Sequence, residues 1–198
     1  RGPRCHRGPA LRERLGLPAE ARWILCVGRV APQKNQLALI AALAALVRAG
    51  VDAHLLLPGS LANEPYVARC REAIAAAGLD ARVHLLGARK DVRELLAATD
   101  VFAFPSTYEG LPLALVEAAL AGCAIVASDI EPNREVLDTK GAGLLLPPED
   151  TRAWIEALVE TPEEHGVVLR ARTAIAGRDW PSAQAAVRQL AGYGEERR

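Results

Sequence analysis

Methionine is absent from the 198-residue sequence, and aromatic side chains make up only 4% of it. A native chain begins with Met and one of this length holds several, so Arg1 reads as an internal position. The opening RGPRCHRGP has the Arg, Gly and Pro content of a linker, and an excised or processed C-terminal domain is the expectation. With so few aromatics the interior has to be filled by Ala, Leu, Val and Ile, which dominate the 51% apolar residues and pack well between helices and a parallel sheet. Excess charge of either sign is also missing, since 24 Lys and Arg balance 24 Asp and Glu. No long-range positive field remains to gather nucleic acid, which is excluded as a partner, and any bound anion has to be held locally. No apolar run approaches the roughly 18 residues that span a bilayer, and no cleavable signal segment is recognisable. A cytoplasmic domain is expected, with membrane contact only through a further domain.

The four cysteines show no C-x-x-C spacing, and the apolar settings of Cys26 and Cys123 mark them as buried thiols in a reducing compartment. His6, His54, His84 and His165 are scattered, so no metal site is expected, and no Ser-His-Asp order is present. Walker-type and G-x-G-x-x-G glycine patterns are absent too, which leaves a dinucleotide fingerprint unsupported.

What is present is an alternation of short apolar runs and helical periodicity. Strands are predicted over Arg22 to Val27, His54 to Leu57, Val83 to Leu86, Val101 to Phe104, Ala124 to Ala127 and Gly143 to Leu146. Between and after them, helices are predicted over Gln36 to Ala49, Tyr66 to Ala77, Val92 to Ala98, Leu113 to Ala121, Pro132 to Leu137 and Thr151 to Glu160. Strands apolar on both faces and separated by single helices require parallel crossovers. The fold class is therefore α/β, a Rossmann-like doubly wound parallel sheet of about six strands with flanking helices, whose ligands sit beyond the strands' carboxyl ends. The expected division is a linker with a short helix over 1–20, the Rossmann-like domain over 21–162, and one or two helices with a partly disordered tail over 163–198.

Three loops at strand carboxyl ends carry unusual polar residues. In Gly28-Arg29-Val30-Ala31-Pro32-Gln33-Lys34, Arg29 offers a planar fork for phosphate oxygens and Lys34 a mobile point charge, although both could simply solvate a turn. In Pro105-Ser106-Thr107-Tyr108-Glu109-Gly110-Leu111-Pro112, Pro112 suits a first helical position, and the free N–H groups near Leu113 with the helix dipole form an anion seat. Gly110 lets the backbone approach a ligand, while Glu109 and Glu117 flank the seat, at most about 12 Å apart if helical. A carboxylate accepting hydrogen bonds from vicinal hydroxyls is the usual way to hold ribose, and Glu117, set in the apolar LALVEAALAG, is the candidate. In Gly87-Ala88-Arg89-Lys90-Asp91, Arg89 and Lys90 could border a base, and Asp91 reads best as a helix N-cap.

With VGRVAPQKNQ, VHLLGARKDV, DVFAFPSTYEGLPLALVEAALAG, IVASD and GAGLLLPPED in this order, the sequence resembles the retaining group 1 glycosyltransferases built from two Rossmann-like domains. The resemblance covers about Leu15 to Glu160, and its most specific element is the pair of glutamates in YEGLPLALVE. It implies the C-terminal, donor-binding half of a GT-B architecture that binds a nucleoside diphosphate sugar as substrate, with no separate cofactor. By that resemblance Arg29 and Lys34, near Gly28, contact the diphosphate and Glu109 the donor sugar, these three acting in catalysis. The backbone of Gly110, Leu111, Pro112 and Leu113 cradles phosphate, Glu117 holds ribose, and the loop of Arg89 and Lys90 meets the base. It further implies hexosyl transfer with retention and without a metal, and an isolated domain that is inactive without its N-terminal, acceptor-binding half. Two features depart from the family pattern: Cys123-Ala124 follows the glycine where a Pro is usual, and the turn after Asp129 lacks its glycine. Two other readings stay open, a sugar-nucleotide epimerase-like domain and a non-catalytic Rossmann-like nucleotide-binding or regulatory module.

Overall fold

A computed structural model describes residues 9–18, 20–137 and 143–159. After α1 (Pro9–Arg14) the chain runs β1 (Arg22–Leu25), α2 (Gln36–Arg48), β2 (Ala53–Pro58), α3 (Glu64–Ala76), β3 (Val83–Gly87), α4 (Val92–Ala98) and β4 (Val101–Phe104). It continues α5 (Leu113–Leu120), β5 (Ile125–Ser128), α6 (Glu131–Leu137), β6 (Leu144–Leu146) and α7 (Thr151–Val159). All pairings are parallel and the six strands lie in the order β3-β2-β1-β4-β5-β6. The predicted doubly wound α/β sheet is thus the fold observed. The reading of 163–198 as helices and tail lies outside the described residues.

Two apolar layers hold the sheet. On one face Ile24, Leu55, Leu57, Val101 and Ala103 meet Leu39, Leu43 and Leu46 of α2, Val67 and Ile74 of α3, and Trp154 of α7. On the other, Trp23, Leu25, Leu56, Phe102 and Phe104 meet Leu11 of α1, Leu95 and Leu96 of α4, and Leu115 of α5. Alternate residues of each strand feed opposite layers, as a period of two requires. Cys26, Cys70 and Cys123 are buried thiols; burial pushes Cys26 up to about 12 and Cys70 to about 11, leaving these two uncharged, and the Cys123 thiol donates to the Leu96 carbonyl at 3.3 Å.

Element ends differ from the sequence reading where side chains decide them. The helix α3 starts at Glu64 rather than Tyr66, because the Asn63 side chain accepts from the Tyr66 N–H at 3.2 Å and Pro65 occupies the first turn. A 3₁₀ turn over Pro32–Lys34 was not anticipated; it passes into α2 through Asn35, whose φ of 51° is left-handed.

Away from the carboxyl edge, His54 of β2 and His84 of β3 stack with ring centroids 5.3 Å apart and His54 Nδ1 3.0 Å from His84 Nε2. Burial holds both below the ordinary histidine value, helped by Arg82 beside His54 and by His54 beside His84. A pKa depressed on folding means the neutral rings stabilise the native state above about pH 6.5, and this contribution is lost as pH falls through the lower folded values. Thermal melts between about pH 7.5 and about pH 5.5 should show Tm falling on acidification, with a smaller fall in His84→Gln; parallel curves for the two proteins would remove the pair as the cause.

Candidate functional site

The strand order reverses between β1 and β4, so the loops leaving their carboxyl ends open a crevice at the edge of the sheet. The β1 loop and the β4 loop are tied across it. The Thr107 N–H donates to the Gln33 carbonyl at 2.9 Å, and the Gln33 side-chain amide donates to the Tyr108 carbonyl at 2.9 Å. Next to them the Lys34 ammonium meets Glu109 Oε1 at 2.5 Å and lies 4.7 Å from the centre of the Phe104 ring. Only 14% of the lysine side chain and 6% of the glutamate side chain are exposed, so this is a largely desolvated ion pair.

Backbone contacts set the β1 loop against its neighbours. The Gly28 N–H donates to the Pro58 carbonyl at 3.1 Å, Val30 N–H to Ser60 at 2.9 Å, and Gly59 N–H to Gly87 at 2.7 Å. Gly59 has φ +155°, and a Cβ there would stand 1.9 Å from the Gly28 carbonyl oxygen, so the approach of these loops needs glycine. The fully buried Gln36 donates to the Arg29 carbonyl at 2.9 Å, which anchors the backbone of Arg29 and leaves its side chain exposed and unpaired among the described residues.

Pro112 occupies the cap position before α5, with φ −81° and ψ 65°, and not the first helical position expected. The reason is a tight turn in which the Leu113 N–H donates back to the Leu111 carbonyl at 2.9 Å. The N–H groups of Gly110, Leu111 and Ala114 then have no acceptor among the described residues. Together with the helix dipole they offer a seat for an anion.

One turn into the helix, Glu117 is half-buried and its carboxylate has no hydrogen bond or ion pair among the described residues. Burial alone raises its pKa. A desolvated carboxylate without a partner is costly to a fold, and such groups concentrate at ligand sites. Glu109 differs because Lys34 compensates it.

The third loop lies to one side, since β3 is separated from β1 by β2, about 10 Å at ordinary strand spacing. There Arg89 donates twice to Asp91, at 2.7 and 2.6 Å, and Asp91 also accepts from Arg14 of α1 at 3.1 Å. Asp91 stands at the cap position of α4 but its side chain makes no cap bond, which corrects the N-cap reading: the Arg89 fork is the stronger partner and holds the carboxyl below its usual range. Lys90 is exposed and unpaired among the described residues.

The structure therefore brings Gly28, Lys34, Glu109 and the amino end of α5 together at one switch point, with Arg29 in the same loop and Glu117 on the same helix. Arg89 and Lys90 stand on the flank. Gln33, Gln36 and Gly59 were missed; a glycine directly after the apolar run of β2 was the one available signal, whereas loop glutamines carry none. No group of three or more His, Cys, Asp or Glu side chains positioned to hold a metal occurs among the described residues, and no helix among them is long and apolar enough to cross a membrane.

The family model "Glycosyl transferases group 1" matches residues 21–163. The chain is 30% identical over 166 residues to the UDP-Gal:alpha-D-GlcNAc-diphosphoundecaprenol alpha-1,3-galactosyltransferase of Escherichia coli, covering 82% of this chain and 42% of that protein. It is 32% identical over 183 residues to a phosphatidyl-myo-inositol mannosyltransferase of Mycolicibacterium smegmatis, covering 88% of this chain and 46% of that one. It thus spans a little under half the length of these relatives. Among solved structures, Anabaena HepE in complex with UDP and glucose superposes with a TM-score of 0.76 at 25% identity, over 93% of this chain and 51% of that one. WaaG, a glycosyltransferase involved in lipopolysaccharide biosynthesis, shares the fold at 20% identity, with a TM-score of 0.75 over 94% of this chain and 51% of its own. With the family model covering most of the chain, and these relatives agreeing with it, the protein belongs to the group 1 glycosyltransferases.

Proposed function

We propose that this chain is the donor-binding domain of a glycosyltransferase that moves a sugar from a nucleoside diphosphate sugar to an acceptor with retention. One observation carries the reading: beside the Lys34–Glu109 pair, the carboxylate of half-buried Glu117 and the N–H groups at the amino end of its helix have no partner among the described residues. The seat suits a diphosphate, the carboxylate of Glu117 suits a pair of ribose hydroxyls, and Glu109 is assigned to the transferred sugar. Arg29 and Lys34 add the positive charge that stabilises negative charge on the departing diphosphate, a role these fixed cations and the helix amino end fill without a metal ion. The HepE structure with UDP and glucose, similar over 51% of its chain, supports a nucleotide sugar as ligand. The acceptor is assigned to an N-terminal half, in keeping with relatives about twice this length.

UDP, GDP and ADP titrated separately into the chain should include at least one that raises Tm in proportion to the logarithm of its concentration, by about 2.7 kcal/mol of added stability at 100 times its Kd. The chain alone should transfer no sugar. A flat response to all three nucleotides would remove the donor-site reading and favour a regulatory module, and transfer by the chain alone would remove the need for a second half.

A further inference from the structure

Glu109 sits in a loop without regular structure, yet its position relative to a bound sugar has to be constant if it is to contact that sugar. Among the described residues, every hydrogen bond that holds residues 107–109 runs to Gln33 or Lys34. The Thr107 N–H and hydroxyl both donate to the Gln33 carbonyl, at 2.9 and 3.4 Å, the Gln33 amide donates to the Tyr108 carbonyl at 2.9 Å, and Lys34 pairs with Glu109. Gln33 thereby grips two consecutive residues, once with its backbone and once with its side chain, which fixes the register and the orientation of the peptide leading into Glu109.

We propose that Gln33 is a positioning residue that places Glu109 for the sugar of the donor, so that it governs recognition of the sugar and not of the nucleotide. The inference rests on the donor-site reading above. The Lys34 contact cannot do this work alone, because an ammonium shared with an arriving diphosphate gives up part of its hold on Glu109. The Gln33 clamp involves neutral groups that a diphosphate does not compete for, and it stays closed while the ligand binds. The 3₁₀ turn supports this geometry: Pro32 opens it and Asn35 closes it in a left-handed conformation, so the backbone of Gln33 is held from both sides.

The test compares UDP with UDP-glucose and UDP-galactose, and GDP with GDP-mannose, by calorimetry on the chain and on Gln33→Leu, which keeps the bulk of the side chain and removes its donor. The expected result is a nucleoside diphosphate Kd within about twofold of the unaltered chain, and a weakening of about tenfold for whichever nucleotide sugar that chain binds more tightly than its diphosphate. Glu109→Gln should remove the same sugar-dependent increment, and combining the two substitutions should add little. Equal weakening of diphosphate and nucleotide sugar, or no weakening of either, overturns the proposal. Hydrogen–deuterium exchange reads the clamp without any ligand: peptides spanning 105–112 should exchange about tenfold faster in Gln33→Leu while those of β2 and α3 are unchanged. Unaltered exchange in that loop also overturns it. An unaltered chain that binds none of the nucleotides would instead remove the donor-site reading, so the two failures are distinguishable.

Discussion

Glu117→Gln should melt higher than the unaltered protein in the absence of ligand and bind nucleoside diphosphate at least about thirtyfold more weakly, the loss of about 2 kcal/mol expected when a charged acceptor of hydrogen bonds becomes neutral. The two effects have one cause. Burial without a partner raises the pKa of this carboxylate, so the native state favours its protonated form. Its contribution to stability is therefore present in acid, below the unfolded carboxyl pKa, and is lost as pH rises through the folded value. When ionised, this carboxylate is a half-buried charge with no partner among the described residues, and the amide removes it. A gain of about 1 kcal/mol corresponds to a Tm rise of about 2–4 °C in a domain of this size. Ribose hydroxyls would donate to the ionised form and lower its pKa again, so binding should weaken as pH falls through the raised value of the free protein. Thermal melts with and without nucleotide, repeated across pH, check all three points. A Glu117→Gln protein that is less stable than the original, or that binds equally well, would make Glu117 an ordinary helix residue.

Lys34 and Glu109 respond in the opposite sense. Removing one partner of a largely buried ion pair strands the other, at a cost of about 3–5 kcal/mol, so Lys34→Met and Glu109→Gln should each lower Tm by about 6 °C or more. The double substitution replaces the pair by neutral groups over the Phe104 ring, and most of the lost stability should return. Urea unfolding of the four proteins closes the cycle; additive losses would show that the two charges do not depend on one another. The recovered double variant is also informative for function, because it should fold normally and still fail to bind a nucleotide sugar. Two glutamates eight positions apart, one compensated and one bare, thus predict stability changes of opposite sign.

Much of this was legible in the chain. Short runs such as RWIL and VFAF, apolar on both faces and each followed by helical periodicity, leave few alternatives to a parallel doubly wound sheet. Arg29, Lys34, Glu109 and Glu117 stood out because they lie in or just beyond loops at strand carboxyl ends, where a doubly wound sheet binds its ligands. Gln33 and Gln36 did not, because a glutamine in or after a loop is compatible with any surface turn. Gly59 was only partly legible: the glycine after β2 suits its φ of +155°, but its need for a missing Cβ also arises from the Gly28 carbonyl of a different loop, which only the fold brings near. Asp91 misled because the cap position was right but a nearby guanidinium competed successfully for its carboxylate.

Local and periodic properties, then, determined from the sequence alone which segments become strands and helices, which faces they bury and which loops carry charge, since each depends on residues within a few positions of one another. Pairing was decided only by the tertiary structure: that Lys34 is neutralised by Glu109, that Gln33 holds the peptide before it, that Arg89 turns to Asp91, and that Glu117 is left with no partner among the described residues. Such contacts join side chains across the switch point or around a turn, and their energies depend on distances of a few ångströms and on exclusion of water, which only the packed sheet sets.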